Sequence, residues 1–419
     1  MKIKLVTFAP HPNFGTCLQS YALNKVLKDM GHDVEFIYNG RETPSKSLIY
    51  YIKAFIKMIL PKQIVDNIKA QRAEVRVSKP DAPPYILKLP NNYFHYWLSR
   101  LPGYNYVYKR LKCKTLQWKK VYSFTFEDDN YKMKRLFVKR QYDMIVQEAD
   151  LFITGSDQIW NPYCGGFNPM MFLEFAGNKK RVAYSSSIAR STFPEEVKQR
   201  AKTDLMKFQQ ISVREQSSVD MLNKLLHRND VKLVVDPTYL LSREDWEVFG
   251  SRATIEFKLP VKYILCYFVG FDRKDEYAAM VKRVMRTSGI SNVITVDCTG
   301  NMVNYGNGIL YKDGGPYEFV YLLKNAALIC MDSFHATVFA LKFRKNFVHI
   351  LKSKNEQNKA SQNSRMYDLF SRYELTYKLY DSNTEEWMKP VDYNKVDKII
   401  DTEIAESMDY LRMAINSQK

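Results

Sequence analysis

The chain has 419 residues with 63 Lys+Arg against 45 Asp+Glu, a net charge of +18. Its 46% hydrophobic content is enough to bury cores, which excludes a wholly disordered chain, and 16 Gly with 16 Pro exclude collagen-like and low-complexity classes. A length of this order accommodates about two domains, and the charge points to a polyanionic partner: nucleic acid, an acidic membrane surface or a phosphorylated substrate.

In chain order, the apolar run Ile3–Phe8 reads as a buried strand. A turn with Pro10, Pro12, Asn13 and Gly15 follows, then helical spacing over Thr16–Met30 and a second strand at Val34–Tyr38. A strand–loop–helix–strand start of this kind opens a parallel, doubly wound unit. The pattern is then interrupted. Residues 44–140 contain 21 Lys+Arg and 6 Asp+Glu, +15 of the total +18, so the rest of the chain is nearly neutral. Within this basic insertion Leu48–Leu60 reads as an amphipathic helix, and Pro80–Tyr108 is rich in Pro and aromatics with little period. Met133–Glu148 reads as helix again.

The alternation resumes with strands at Leu151–Thr154, Val182–Ser186, Ile211–Val213 and Leu233–Val235, and helices at Glu195–Phe208, Gln216–Leu226 and Arg243–Phe249. Ser251–Leu259 looks like a junction. A second alternation has strands at Tyr263–Val269, Val293–Val296, Ala327–Met331 and Phe347–Ile350, with helices at Lys274–Arg286, Tyr317–Lys324 and Phe334–Leu341. A long amphipathic helix spans Asn394–Ile415. The simplest architecture is two facing Rossmann-like units: residues 1–250 with the insertion at 44–140, residues 260–390, and a C-terminal helix in 391–419.

The six cysteines form no CxxC pair and several sit in strand-like runs, so they read as buried thiols of a reducing compartment. The N-terminus reads as a strand rather than a signal peptide. No window offers the roughly 20 apolar residues of a membrane span. The six histidines show no HxH or HxxxH spacing, so no metal site is expected.

Five motifs carry candidate chemistry. Asn13–Thr16 lies between the first strand and helix, where Gly15 permits close backbone approach and a helix N-terminus favours an anion; alone it could be an ordinary turn. The polar run Gly155, Ser156, Asp157, Gln158, Trp160 and Asn161 follows a strong apolar strand and suits a ligand-facing loop, or a turn. Arg214 ends a strand, so its planar fork would reach the cleft to hold phosphate or carboxylate, or would pair with Glu215 or Asp236. Asp236-Pro237 reads as a turn or helix-starting device rather than an acid. Finally, Asp332, Ser333 and His335 lie between an apolar strand and a helix; a lone histidine is usually structural, and Asp332 or Ser333 would cap the helix in the plainer reading. Asn363-Ser364-Arg365 precedes another helix and alone says little.

Taken together, NFGTCLQSYAL, DLFITGSDQIWNP, SVRE with VVDPTYLL, and MDSFHATVFAL with NSR resemble the polysaccharide pyruvyl transferase family over residues 3–40 and 140–375. The resemblance implies a GT-B-like pair of Rossmann-type domains. It also implies transfer of a pyruvyl group from phosphoenolpyruvate to hydroxyls of a cell-surface glycan or its lipid-linked precursor, with a cyclic ketal as product and no cofactor beyond the donor. His335 matches the family's general acid/base and Arg214 its donor-binding arginine. Better-studied members carry an arginine where this chain has Ser333, and Arg365 is expected to supply the missing charge. The donor set is then Arg214, Arg365, Asn13, Gly15, Gly155, Ser156, Asp157 and Ser333, and the acceptor set Gln158, Trp160 and Asn161.

Such glycans are assembled at the cytoplasmic face of the membrane, so residues 44–140 read either as a contact for anionic lipid, with Leu48–Leu60 as interfacial helix, or as a solvated cap over the site. Two other function classes remain. A nucleotide-sugar-dependent GT-B glycosyltransferase would share the architecture. A nucleic-acid-binding module would use the basic stretch, but no RRM, HTH or zinc-finger pattern accompanies it, and no nucleic acid is expected. A catalytically dead family member is a further reading, because of Ser333.

Overall fold

Short runs of two to seven residues, most of them followed by a turn and a helix, build two parallel sheets in the computed structural model. The structure describes residues 1–8, 13–39, 96–97, 99–101, 130–163, 167–190, 192–270, 273–297, 302–305, 308–352 and 363–417. The first unit runs β1 (Lys2–Val6), α1 (Phe14–Asp29), β2 (Asp33–Asn39), β3 (Met133–Leu136), α2 (Lys139–Glu148), β4 (Leu151–Thr154), β5 (Lys180–Ser186), α3 (Glu195–Leu205), β6 (Gln210–Val213), α4 (Gln216–Leu226) and β7 (Lys232–Leu233). Two short helices, α5 (Pro237–Leu240) and α6 (Arg243–Gly250), lead to the second unit. There follow β8 (Ile264–Tyr267), α7 (Lys274–Ser288), β9 (Val293–Val296), β10 (Ile309–Tyr311), α8 (Pro316–Asn325), β11 (Leu328–Met331), α9 (Phe334–Lys342), β12 (Asn346–His349) and α10 (Ser364–Arg372). The last helix is α11 (Tyr393–Asn416).

The first sheet has the order β3-β2-β1-β4-β5-β6-β7 and the second β10-β9-β8-β11-β12. Every strand pair is parallel. Both orders reverse once, between β1 and β4 and between β8 and β11. The loops leaving the carboxyl ends of these four strands therefore line the crevices where open α/β sheets bind ligands. This is the expected GT-B-like plan of two Rossmann-type sheets with a long C-terminal helix.

One expectation is corrected. Met133–Glu148 is not a single helix: Met133–Leu136 pairs in parallel with Phe36–Asn39 as an edge strand. The helix starts only at Lys139, because the Gln141 side chain accepts from the amides of Phe137 at 2.8 Å and Val138 at 3.3 Å. The predicted helix Leu48–Leu60 and most of Pro80–Tyr108 lie outside the described residues. Cys17, Cys266 and Cys330 are buried thiols; Cys113, Cys164 and Cys298 lie outside the described residues. Among the described residues no helix is long and apolar enough to cross a membrane.

Helix α1 joins the two units. Its apolar side chains belong to one core cluster that includes residues of both sheets, and Phe14 stacks on Phe319 of α8 with ring centroids 4.9 Å apart. The helix is buried nearly all round, so its polar side chains must find partners inside. Gln19 donates to Thr7 Oγ1 at 3.2 Å and accepts from the Ser156 amide at 3.2 Å, and Asn24 donates to the Asn130 carbonyl at 2.8 Å. The Gln19 bonds tie α1 to the carboxyl ends of β1 and β4, and the Asn24 bond ties it to the segment that precedes β3.

Helix α11 crosses back to the first sheet. Ser407 Oγ accepts from the Val235 amide at 2.9 Å, Tyr410 donates to the Ala183 carbonyl at 3.2 Å, and buried Lys180 donates to the Ile415 carbonyl at 3.0 Å. A lysine at the helix C-terminus complements its unpaired carbonyls. The first half of α11 holds the second unit through Asp397 to Arg344 at 2.7 Å and Glu403 to Tyr373 at 2.8 Å.

Candidate functional site

The loops at the two switch points meet. From the second unit, β11 ends in Asp332 and Ser333, and α9 begins with Phe334 and His335. Asp332 is consumed structurally: it accepts from the amides of Val269 and Gly270, both at 2.8 Å, and from the Tyr277 hydroxyl at 2.7 Å, pinning the loop after β8. Ser333 is the N-cap, with its hydroxyl 3.5 Å from the Ala336 amide. His335 thereby falls in the first turn, aimed at the first unit. Its Nε2 lies 3.5 Å from Asp236 Oδ2, an ion-pair distance longer than a hydrogen bond.

From the first unit, α1 brings its N-terminus against the same ring. A Cβ added at Gly15 would sit 2.8 Å from His335 Cβ and closer still to Nδ1, so only glycine fits between helix and imidazole. Asn13 caps α1 by accepting from the Thr16 amide at 3.4 Å. Gly15→Ala is expected to displace the His335 ring and to cost about 1–3 kcal/mol of stability, the range for overpacking a tight site. Denaturant unfolding together with turnover checks this, and unchanged values for both would contradict the packing.

The loop after β4 positions a carboxylate. Gly155 has φ +121°, and a Cβ there would lie 3.0 Å from the Tyr184 carbonyl carbon and closer to its oxygen. Asp157 has φ 67°, a left-handed conformation that aspartate tolerates better than most residues. Its Oδ2 accepts from Thr16 Oγ1 of α1 at 2.7 Å, and its Oδ1 from Arg214 Nη2 at 3.2 Å. Burial works against ionisation of Asp157, but Arg214, His335, the Thr16 bond and Arg365 outweigh it and hold the carboxyl at about 2, below the usual 3.8. Because the folded value is depressed, the stability that Asp157 contributes is present above pH 4 and is lost as pH falls from about 4 to about 2. Acid unfolding followed by circular dichroism should shift to higher pH in Asp157→Asn and lose part of its dependence in that window; identical acid profiles would contradict this.

Arg214, after β6, is the centre of the network. Its Nη1 donates to Asp236 Oδ2 at 2.7 Å, its Nη2 to Asp157, and its Nε to Glu215 Oε1 at 3.3 Å. The guanidinium lies 4.5 Å from the Phe334 ring centroid, and that of Arg365 lies 5.7 Å from it, so one aromatic ring is flanked by two cations. The Arg214 side chain is 1% exposed. Burial opposes its charge, but Asp236, Asp157 and Glu215 prevail and raise its pKa further. Burial likewise opposes ionisation of Asp236, and His335 and Arg214 hold it well below the carboxylate range.

The structure therefore brings Asn13, Gly15, Asp157, Arg214, Ser333, His335 and Arg365 into one place. It changes the roles of others. Arg214 is saturated by three carboxylates and is not open to a donor phosphate. Ser156 is fully buried, its amide given to Gln19 and its hydroxyl to the Ser185 carbonyl at 3.0 Å, so it fixes the loop rather than a ligand. Gly155 packs on the Tyr184 carbonyl in the same way. Trp160, expected at the acceptor, is 1% exposed: its Nε1 donates to the Met171 carbonyl at 3.1 Å and its ring stacks on Phe172. Its large apolar area drives it into the core, where the single N–H finds a partner. Asn161 bonds to Gln158 at 2.8 Å and to the Tyr163 amide at 3.0 Å, again holding the loop. Arg365 lies within α10 rather than before a helix, one residue after its first.

The alternative reading of Arg214, a pairing with Glu215 or Asp236, is what the structure shows; sequence reasoning missed the places of Thr16 and Phe334 and the approach of Asp236 to His335. Asp236 does cap α5, accepting from Thr238 N at 3.0 Å and Oγ1 at 2.7 Å, but its other oxygen faces Arg214 and His335. The available signal was an Asp leaving a strand at the ligand-binding edge. His349 is the structural histidine of the second unit: burial first, then Lys352 and Arg365, push its pKa down to about 3, so it is neutral, bonded to Thr337 Oγ1 at 3.1 Å.

No curated protein matches the chain in sequence. Among solved structures it is similar to the UDP-GlcNAc 2-epimerase from Neisseria meningitidis bound to UDP-GlcNAc, with 10% identity, 100% of this chain and 95% of that chain covered, and TM-score 0.44. The UDP-N-acetylglucosamine 2-epimerase from Rickettsia bellii gives 10% identity, 99% and 98% coverage and TM-score 0.43. The spinosyn rhamnosyltransferase SpnG complexed with thymidine diphosphate gives 10%, 99% and 99%, and 0.39. The polysaccharide pyruvyl transferase family model matches residues 13–353, from the N-cap of α1 past β12, with Arg365 lying beyond the matched residues. The chain belongs to the polysaccharide pyruvyl transferase family.

Proposed function

We propose that the protein transfers a pyruvyl group from phosphoenolpyruvate to two hydroxyls of a polysaccharide or its lipid-linked precursor, forming a cyclic ketal. The observation that carries this is the placement of His335 in the first turn of α9, against the N-terminus of α1, at the meeting of two switch-point crevices. Phosphoenolpyruvate carries a phosphate and a carboxylate on one small skeleton. Two helix N-termini lie at this place and Arg365 is near Phe334, and helix N-termini and arginine are groups suited to such a donor.

In the reaction a sugar hydroxyl oxygen bonds to C2 of the donor while C3 takes a proton and becomes a methyl group. A second hydroxyl then displaces phosphate from C2, and its proton leaves with the phosphate. Two protons are removed, one from each hydroxyl, and two are delivered, one to C3 and one to the departing phosphate, which asks for a group that both gives and takes protons near neutrality, and histidine is that side chain. The scheme uses the donor and acceptor alone.

The test is turnover with phosphoenolpyruvate and a panel of glycan acceptors. Acceptor-dependent release of one phosphate per donor, with a new methyl singlet in the proton spectrum, is expected. Retained vinyl protons in the product would replace the ketal by an enolpyruvyl ether. Transfer of sugar from a nucleoside diphosphate sugar, with no use of phosphoenolpyruvate, would reject the reading.

A further inference from the structure

We propose that Asp236 is the positioning residue of His335: it holds the Nε2 side of the ring, leaving Nδ1, beside Gly15 at the start of α1, as the nitrogen that exchanges protons with substrate. This rests on the reading of His335 as the acid/base group. The two oxygens of Asp236 have separate partners. Oδ1 takes both bonds from Thr238, at 3.0 and 2.7 Å, which is all that a helix cap requires. Oδ2 takes Arg214 Nη1 at 2.7 Å, lies 3.2 Å from Ser156 Oγ, and faces His335 Nε2 at 3.5 Å. Nε2 is buried and has no hydrogen-bond partner among the described residues. A carboxylate that served only as a cap would leave its second oxygen without this arrangement.

The remaining charges near the ring are Asp157, Arg214 and Arg365. Arg214 bridges Asp157 and Asp236, so both carboxylates are held by one rigid fork. Gly15 carries no side chain to cover Nδ1, and a Cβ there would strike the imidazole. A carboxylate on one ring nitrogen fixes the tautomer and the orientation and stabilises the imidazolium that forms when the other nitrogen takes a proton. The separation of 3.5 Å is within a few tenths of an ångström of a hydrogen bond, and pairs of this kind commonly shorten in the reactive complex.

Asp236→Asn retains an oxygen for the α5 cap but presents an amide N–H₂ to Arg214 and His335. The expected result is a fall in kcat of about 10²–10⁴-fold, with the dissociation constant for phosphoenolpyruvate, measured by calorimetry, within about threefold of the parent. A variant with kcat within about fivefold of the parent overturns the proposal. The second measurement depends on neither turnover nor a variant of Asp236. Long-range proton–nitrogen correlation on histidine-labelled parent protein, with His335→Ala supplying the assignment, should show the neutral ring protonated on Nε2. A ring protonated on Nδ1 overturns the proposal. If His335→Ala itself turns over at the parent rate, the acid/base reading fails and takes this inference with it; if it is inactive while Asp236→Asn is active, this inference alone fails.

Discussion

Replacing His335 by Ala should lower kcat by about 10²–10⁴-fold, the usual contribution of a placed acid/base group, with phosphoenolpyruvate still bound. The ring sits at the first turn of α9, in contact with the start of α1 and facing Asp236. Its loss opens a small space between these elements, and the side chains around it keep their hydrogen bonds to one another. The folded state should therefore survive, with a loss of stability of about 1–3 kcal/mol for the vacated volume. Turnover, calorimetric donor binding and denaturant unfolding measured on one preparation separate these effects. Near-parent turnover would remove His335 from the mechanism, and loss of donor binding with intact folding would make it a ligand rather than an acid/base.

Arg214→Met has the largest expected effect on stability. From the sequence alone, truncating Arg214 should chiefly weaken donor binding. The structure predicts something else. With the guanidinium gone, Asp157, Asp236 and Glu215 face one another in a buried space without their shared cation, and breaking a buried ion cluster in this way costs about 3–5 kcal/mol. The deficit is greatest at neutral pH, far above the range in which Asp157 and Asp236 of the parent titrate. The parent Asp157 keeps its charge down to about pH 2, whereas in the variant it protonates earlier. The difference between parent and variant should therefore shrink as the pH is lowered through the carboxylate range. Urea unfolding at pH 7 and pH 4 checks this. An Arg214→Met protein of parent stability whose only defect is a raised KM for phosphoenolpyruvate would restore the donor-binding role.

The strand–loop–helix rhythm was legible because apolar runs such as Leu151–Thr154 and Leu328–Met331 are buried on both faces and read directly as parallel strands. His335 was legible for the same reason: it follows such a strand by a few polar residues, and strand position fixes the edge at which it emerges. The ion network was legible only in part: a pairing of Arg214 with Glu215 or Asp236 was one of two readings, and its contact with Asp157 was not foreseen. Arg214 meets Asp157 across 57 positions of sequence and Asp236 across 22. Only the sheet order β4-β5-β6-β7 brings those loops side by side. Trp160 read as a ligand platform because its neighbours are polar, yet burial of its ring decided the matter. Met133–Leu136 read as helix because its strand character comes from pairing with β2, a partner almost a hundred residues earlier. Gly15 was singled out for the approach of a ligand, and the group that approaches it is the candidate catalytic histidine itself.

Calorimetric titration of the parent protein with phosphoenolpyruvate, run beside UDP-N-acetylglucosamine and UDP, tests the central claim most directly because it needs no knowledge of the acceptor. Saturable binding of phosphoenolpyruvate that neither UDP compound displaces is the predicted result. Saturable binding of UDP or its sugar, with none of phosphoenolpyruvate, would contradict the account.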